Sequence, residues 1–328
     1  MNNELFLEPK TNQYGSHMIM TNVNKPLKTK YVNIDTKFRD EYNYSQEANY
    51  NITLPERITD VTSIRVVSAE IPMSFYNISE ALGNNSFGYT FQSNTVSIPI
   101  VSFVITIPDG NYSINDLITI INSQMNVDIQ NYYVSKTNNY PSDNWISFSQ
   151  STKNNMINLM INYPVYDGSS KDTYAFNFTI KSDGTSDKFN FKNTLGWLLG
   201  FRNPIVDIKE NIVSPLPQAA INLYGPKYLY LAIEEFNKGN QSSFVTPMNK
   251  SLLNKNIIAR IALNRNGGYD FGSVLPANNF NGLLMSDTRS YTGKIDLMKL
   301  NVQLLTEDGT VVNLNGLDYS FCLEVTHE

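Results

Sequence analysis

VTSIRVVSAEIP, residues 61–72, is the stretch on which the fold turns. Val61, Ile64 and Val66 stand before, and Val67, Ala69 and Ile71 after, a one-residue change of phase in a period-2 pattern. Such a slip sends every later side chain to the opposite face of a sheet, and a β-bulge produces it. The same device recurs near the C-terminus. Ile295 and Leu297 share one phase, Leu300, Val302 and Leu304 the other, and Met298–Lys299 mark the shift. Two long bulged strands predict a curved, strongly twisted sandwich.

Further strands surround these two. YVNI (31–34), NYNITLP (49–55), SFGYTF (86–91), VSFVITIP (101–108), WISFS (145–149), MINLMINYP (156–164) and YAFNFTIK (174–181) carry strand patterns. KYLYLAIEEF (227–236) is apolar on both faces up to Ile233, which predicts a central strand, and IIARIALN (257–264) is similar. An Asp308–Gly309 pair inside KLNVQLLTEDGTVVNLN predicts a closing hairpin. In DYSFCLEV (318–325), Phe321, Leu323 and Val325 share a face, leaving Cys322 on the other with Ser320 and Glu324. One segment reads as helix, over about 113–126. Ile114, Leu117, Ile118, Ile121 and Met125 recur at helical spacing, with Ser113 as N-cap and Asp116 three residues on. NTLGWLLGFRN (193–203) has room for a turn or two of helix. The expected fold is therefore all-β, a jelly-roll-like antiparallel β-sandwich with one short amphipathic helix. Residues 1–30, polar and without periodicity, are expected to be a flexible arm, and 31–328 the body, with a possible inserted strand cluster at about 130–200.

Composition narrows the function. Charged residues make up 17% and hydrophobic ones 41%, and 44 asparagines take up much of the polar share. A surface low in charge and rich in amides and aromatics suits a protein covered by neighbours. The net charge of −5 provides no basic footprint for nucleic acid, so no direct nucleic-acid contact is expected. The N-terminus carries no cationic, then apolar, secretion pattern, and no run of 18 apolar residues predicts a transmembrane helix. The triplets at Asn51, Asn111 and Asn177 are read as chance in an asparagine-rich chain.

Chemistry is sparse. The two histidines, His17 and His327, lie at the chain ends, away from any scaffold able to hold a general base in place. Cys322, mid-strand, is read as a small hydrophobe. Glu234 and Glu235 are neighbours on a strand and face opposite ways, and Glu70 stands in the bulged strand; ion pairs or solvated strand ends are the expected roles. Glu307, Asp308 and Asp318 lack calcium-loop spacing. NRNGGYDFG (264–272) leads into no helix, unlike a phosphate loop, and NYPSDNW (139–145) is read as core and contact aromatics. No catalytic, cofactor or metal residue is expected, and no enzyme activity.

The chain nevertheless resembles a known group. Val32, Asn33, Asp35, Thr36, Arg39 and Asp40 form a VN-D-S/T-x-x-R-D segment, followed by Leu54–Pro55 and by Glu70–Pro72 with Tyr76. Asn84–Asn85, the Ile107–Tyr112 stretch before the helix, LGWLLGF (195–201) and Tyr224–Leu229 come next. Arg289, Tyr291 and Gly293, then an LL-x-x-DG hairpin, complete the order. The set resembles the minor capsid, penton-like proteins of giant DNA viruses, the mimivirus-like nucleocytoplasmic large DNA viruses. The resemblance implies a structural virion protein at a minor capsid or vertex position, built on a jelly roll and assembled in the host cytoplasm. It implies contacts with other capsid proteins, including a major capsid protein, and a homo-oligomer. The arm (1–30) and the DTKFRD turn, with Asp35, Arg39 and Asp40, are the expected interface, although a local pairing of Arg39 with Asp35 is an equal expectation. Two other classes stand beside this one: a carbohydrate-binding jelly roll of a virion fibre or spike, and a carboxylate-dependent β-sandwich glycoside hydrolase.

Overall fold

The computed structural model describes residues 26–93, 98–137, 146–161, 173–208, 217–236, 243–245, 256–263 and 271–328. Most of the expected arm therefore lies outside the described residues. Its last part does not: β1 (Lys28–Asp35) begins three residues before the expected body and pairs antiparallel with β14 (Ser320–His327).

The long bulged strand is β2 (Asn49–Pro72), 24 residues. One flank carries β14, and the register steps from Cys322 opposite Ser68 to Leu323 opposite Val66. Val67 is thus skipped, where the change of phase predicted a bulge. The other flank carries β13 (Arg289–Leu305), with a register shift between Leu297 and Lys299, again at the expected place. β11 (Val274–Asn278) pairs with the end of β2. β9 (Tyr228–Glu234) follows β13, then β10 (Ile257–Ala262) and the three-residue β12 (Leu284–Ser286). β9 is central as its sequence predicts: Leu229, Leu231 and Ile233 face one apolar cluster, Tyr230 and Ala232 another.

Seven strands side by side would span roughly 29 Å if flat, at about 4.8 Å per spacing. Yet Ile34 and Leu323 at one end of the order join Ile258 and Ile261 at the other in a single buried cluster. The sheet achieves this by folding over. Asp60, with φ 57°, turns β2 between its halves. On the far side β12 returns to β2, where Val66 N donates to Ser286 Oγ (3.2 Å) and Ser286 Oγ donates to Ile258 O (3.2 Å). The result is an antiparallel, jelly-roll-like β-sandwich.

A second buried cluster runs from Ile78 to Ile221, between β2 and β9. Its sheet has the order β4 (Ile98–Thr106), β3 (Ser86–Ser93), β7 (Thr173–Asn177), β8 (Ile205–Ile208), and a separate hairpin joins β5 (Ile146–Gln150) to β6 (Ile157–Ile161). Because β7 pairs with β3, strands on either side of residue 130 share one sheet. α1 covers it and spans Ile114–Thr137, beyond the expected end at 126, because the buried stripe continues to Ile129. Its start is as predicted: Asp116 N donates to Ser113 Oγ (3.2 Å), and Ser113 Oγ donates to Asp116 Oδ2 (2.7 Å). Asn122 ties α1 to β5 by accepting from Phe148 N (2.7 Å) and donating to Phe148 O (2.9 Å). LGWL forms the short α2 (Leu195–Leu198).

The closing hairpin departs from expectation. Gly309, at φ 95°, makes the tight turn, and Gly309 N donates to Thr306 O (3.1 Å). The chain beyond it keeps only an isolated bridge, Leu305 to Val311, in place of a second strand.

Candidate functional site

The three residues expected at an interface, Asp35, Arg39 and Asp40, all sit on the elbow between β1 and β2. Asp35 caps a single turn of 3-10 helix, Thr36–Phe38, by accepting from Lys37 N (2.9 Å). Thr36 is buried; its hydroxyl donates to Asp318 Oδ1 (2.8 Å) and accepts from Tyr319 N (3.0 Å). The Arg39 guanidinium does not pair with Asp35. Its Nη1 donates to Asp318 Oδ1 (2.8 Å) and to Thr36 O (2.9 Å), and its Nε donates to Ser45 Oγ (3.2 Å). It also lies 3.8 Å from the centre of the Tyr42 ring. Asp40 accepts from Thr53 N (3.1 Å) and Thr53 Oγ1 (2.8 Å), with Lys299 Nζ at 3.8 Å.

The charges of Asp35, Arg39 and Asp40 are therefore turned to the elbow's own construction. The Arg39 side chain is only 7% exposed. Among the polar residues that the elbow exposes, Lys37, Glu41 and Asn43, stand several rings: Phe38 is 72%, Tyr42 44% and Tyr44 91% exposed, with Tyr31 of β1 at 61%. Asp318 is the residue that sequence reasoning missed. It lies 279 positions from Arg39, and only the pairing of β1 with β14 brings it there.

A second constellation locks the sandwich. Arg289, at the start of β13, donates to Glu235 Oε1 (2.6 Å), Ile233 O (2.8 Å) and Asn256 O (2.8 Å). Tyr291 OH donates to the same carboxylate oxygen (2.8 Å). Burial, then the Glu235 charge, pushes the Tyr291 phenol well above its ordinary pKa, so it stays a donor. Both charged side chains are almost fully buried, and the guanidinium holds the ends of β9, β10 and β13 together. Glu235 takes the ion-pair role expected of it, and Glu70 accepts from Ser320 Oγ (2.7 Å).

A cleft of about 330 Å³ is lined by Glu80, Asp183, Asp187 and Lys181. Glycoside hydrolysis needs one acid held above the ordinary range so that it keeps its proton. Here the Thr185 hydroxyl and N–H hold Asp183 below that range. At Asp187 burial acts upward, but Lys181 and the N–H groups of Asn190 and Phe189 outweigh it and also leave the carboxyl low. The direction is opposite to that of a general acid. Trp197 is half-buried, with the Arg202 guanidinium 3.8 Å from the ring centre over one face and the Phe191 ring edge-on at 5.6 Å; Trp145 lies outside the described residues, as do NYPSDNW and most of NRNGGYDFG. Cys322 is half-buried on the face shared with Ser320 and Glu324, and burial raises its thiol pKa, helped by Glu70 and Glu324. Among the described residues no three His, Cys, Asp or Glu side chains gather to hold a metal ion, and no helix is long and apolar enough to cross a membrane.

No curated protein matches the sequence. Among solved structures, the crystal structure of the mavirus penton protein is similar at 9% identity, covering 92% of this chain and 99% of that one, with a TM-score of 0.46. The cryo-EM structure of the Sputnik virophage is similar at 12% identity, covering 91% and 98%, with a TM-score of 0.41. The chain belongs to DUF5901, a family of unknown function whose model matches residues 19–259.

Proposed function

We propose that this protein is a structural virion component, placed at a minor capsid or vertex position of a large DNA virus, and that it acts through contacts with other subunits. The observation that carries the reading is the elbow. A buried arginine, the Asp35 cap, the bonds of Asp40 to β2 and a distant aspartate shape a segment that leaves Phe38, Tyr42 and Tyr44 exposed. Uncovered aromatics are the kind of side chain from which protein interfaces draw much of their binding energy, and here three stand within seven residues of chain. Phe189 and Phe280 stand equally uncovered elsewhere.

The sequence resemblance supplies the kind of assembly, and its residues have positions that fit a shared scaffold. Arg39 and Asp40 build the elbow, and Arg289 with Tyr291 builds the buried clamp. Asn84 and Asn85 are buried beside the strand crossing, where Asn84 Oδ1 accepts from Ser79 N (2.8 Å) and Asn85 O accepts from Ile107 N (2.7 Å). On this reading the interface is the aromatic face of the elbow, with Asp35, Arg39 and Asp40 as its support, and the partners are copies of this chain and other capsid proteins, a major capsid protein among them.

The test is the protein inventory of purified virions by mass spectrometry, where the chain is expected at a level below that of the major shell protein. Its absence from purified particles overturns the reading.

A further inference from the structure

The sandwich is closed where β12 returns to β2, and open on the opposite side, where two strand edges face each other. β1 is the last strand of its sheet among the described residues. The first half of β2 pairs with β13 on one flank, while on the other Asp40 reaches it, at Asn51 O and Thr53 N. Pro55 has no N–H to offer. Between the edges runs a groove of about 480 Å³. Val32, Ile52, Leu54 and Ile58 line it, Tyr31 and Phe38 stand at its rim, and the Lys30–Glu56 ion pair crosses it. Paired edges and an apolar trough are what an added strand requires, because the backbone supplies the hydrogen bonds and alternate side chains fill the trough.

We propose that this groove receives residues 19–24 of a second copy of the chain as an added β-strand. Although the arm as a whole lacks periodicity, its stretch 19–24 is an exception: β-branched Ile19, Thr21 and Val23 alternate with Met20, Asn22 and Asn24, giving one face fit for an apolar trough. Six extended residues span about 20 Å, the length of the stretch of β1 that borders the groove. The family match begins at Ile19, so this segment is within the part the family shares. The copy's own segment is ill placed to return. It would have to reverse within Asn24-Lys25-Pro26-Leu27, with proline at the third position of the turn. Proline there drives the preceding residue out of the helical region that the common turn needs. A proline biases the residue before it toward extended backbone, which favours a segment that continues to a neighbour over one that folds back. The inference rests on the contact reading above only in that copies of the chain meet, and purified protein tests it whether or not the chain is found in virions.

Two full-length chains with different tags, both carrying Cys322→Ser, are mixed under mild oxidation, one with Thr21→Cys and the other with Phe38→Cys. The expected product is a disulfide joining the two tags. No product, or only an internal link when both cysteines are placed in one chain, overturns the proposal; the internal link assigns the groove to the chain's own segment. Independently, Ile19→Asp with Val23→Asp changes only the inserting segment. Light scattering is expected to show the mass falling from at least two chains to the 37.2 kDa of one, with a cooperative melting transition retained but no longer dependent on protein concentration. An unchanged mass, or a single-chain mass for the unsubstituted protein, overturns it as well.

Discussion

The two large buried clusters of this molecule solve the same problem with different shares of rings. The sandwich is filled mainly by Ile, Leu and Val, among them Ile34, Ile64, Leu231, Ile261, Leu300 and Leu323. The region between β2 and β9 is richer in rings: among the described residues eight of its 24 buried hydrophobics are Phe or Tyr, against four of 33 in the sandwich. Phe178 packs on Phe201 at 4.6 Å between centroids and on Phe87 at 5.6 Å, and Phe176 meets Phe148 at 5.7 Å and Tyr89 at 6.2 Å. Strand length accounts for the contrast. β2 and β13, at 24 and 17 residues, offer many inward positions, so modest side chains suffice. β7 has five residues and β8 four, so each inward position must fill more of the gap beneath α1. A Phe or Tyr buries about 150–250 Å² and does so. Charge is divided the same way. The sandwich accommodates a buried ion pair, Arg289 with Glu235, where its strands converge, whereas the ring-filled region is tied at its margins by amides such as Asn122 and Asn84.

The sharpest way to break this comparison is to damage each region once. Phe176→Ala leaves a ring-sized void and should cost about 3–5 kcal/mol. Arg289→Met leaves the Glu235 carboxylate buried without its cation, with a cost of similar size, about 3–5 kcal/mol. We expect different calorimetric signatures. Phe176→Ala should split off an earlier transition that belongs to the ring-filled region, and Arg289→Met should lower the transition of the sandwich. Adding Glu235→Leu to Arg289→Met should recover part of the loss, since the stranded charge is then gone. A single transition displaced equally by both substitutions would mean that the two clusters melt as one.

Much of this arrangement was legible before the structure. The bulges at Val67 and near Met298 followed from the slip of a period-2 pattern, and the centrality of β9 from its two apolar faces, because sheet geometry imposes both locally. The start of α1 followed from Ser113 and Asp116. Its end did not, since Asn126, Asp128 and Asn131 dilute a stripe that Ile129 still continues. β11 was hidden by Pro276, tolerable because β11 pairs with β2 alone among the named strands, and β12 by its length of three residues. The elbow shows the deeper limit. Asp35, Arg39 and Asp40 could be singled out as a group, but what they bind could not, because Asp318 arrives through a pairing of the two chain ends. Glu235 was visible as an acid on a strand; Arg289, 54 residues away, was not visible as its cation.

A smaller substitution sharpens the packing side of the comparison. Gly196, in α2, lies against the ring of Phe178, and a Cβ there would sit 2.2 Å from its Cγ. Phe178 is enclosed by Phe87, Phe176 and Phe201 and has no room to retreat. Gly196→Ala should therefore cost about 1–3 kcal/mol, the usual range for overpacking. The measurement is the denaturation midpoint, with near-ultraviolet circular dichroism to report the ring environment. The aliphatic sandwich provides the control: Gly293, on β13, has nothing within 4 Å of an added Cβ, and Gly293→Ala should leave both readings almost unchanged. Equal tolerance at the two positions would show that the ring cluster is looser than its contacts require.

The smallest expected effect lies at the joint between the regions. Asp308, in the tight turn after β13, accepts from Asn193 Nδ2 (3.1 Å), which belongs to the ring-filled region, and from the Thr306 hydroxyl of its own turn. Burial raises its pKa, but the Thr306 hydroxyl, the Thr310 N–H and the Asn193 amide outweigh that and hold the carboxyl below the usual range. A carboxyl depressed in the folded state binds fewer protons there than in the unfolded chain. Its stabilisation is thus complete above the ordinary value of about 4 and is lost as the pH falls through the lower folded value. Asp308→Asn keeps one acceptor oxygen and removes the titration. Melting temperatures followed from pH 6 to about pH 3 should therefore run parallel for the two proteins until about pH 4 and converge below it, as the unsubstituted protein loses the advantage of its charge. The effect should be modest, because the side chain is half-exposed and solvent screens it. Convergence seen chiefly in the transition of the ring-filled region would identify Asn193–Asp308 as a tie between the two clusters, and curves that stay parallel throughout would show that the turn holds without its charge.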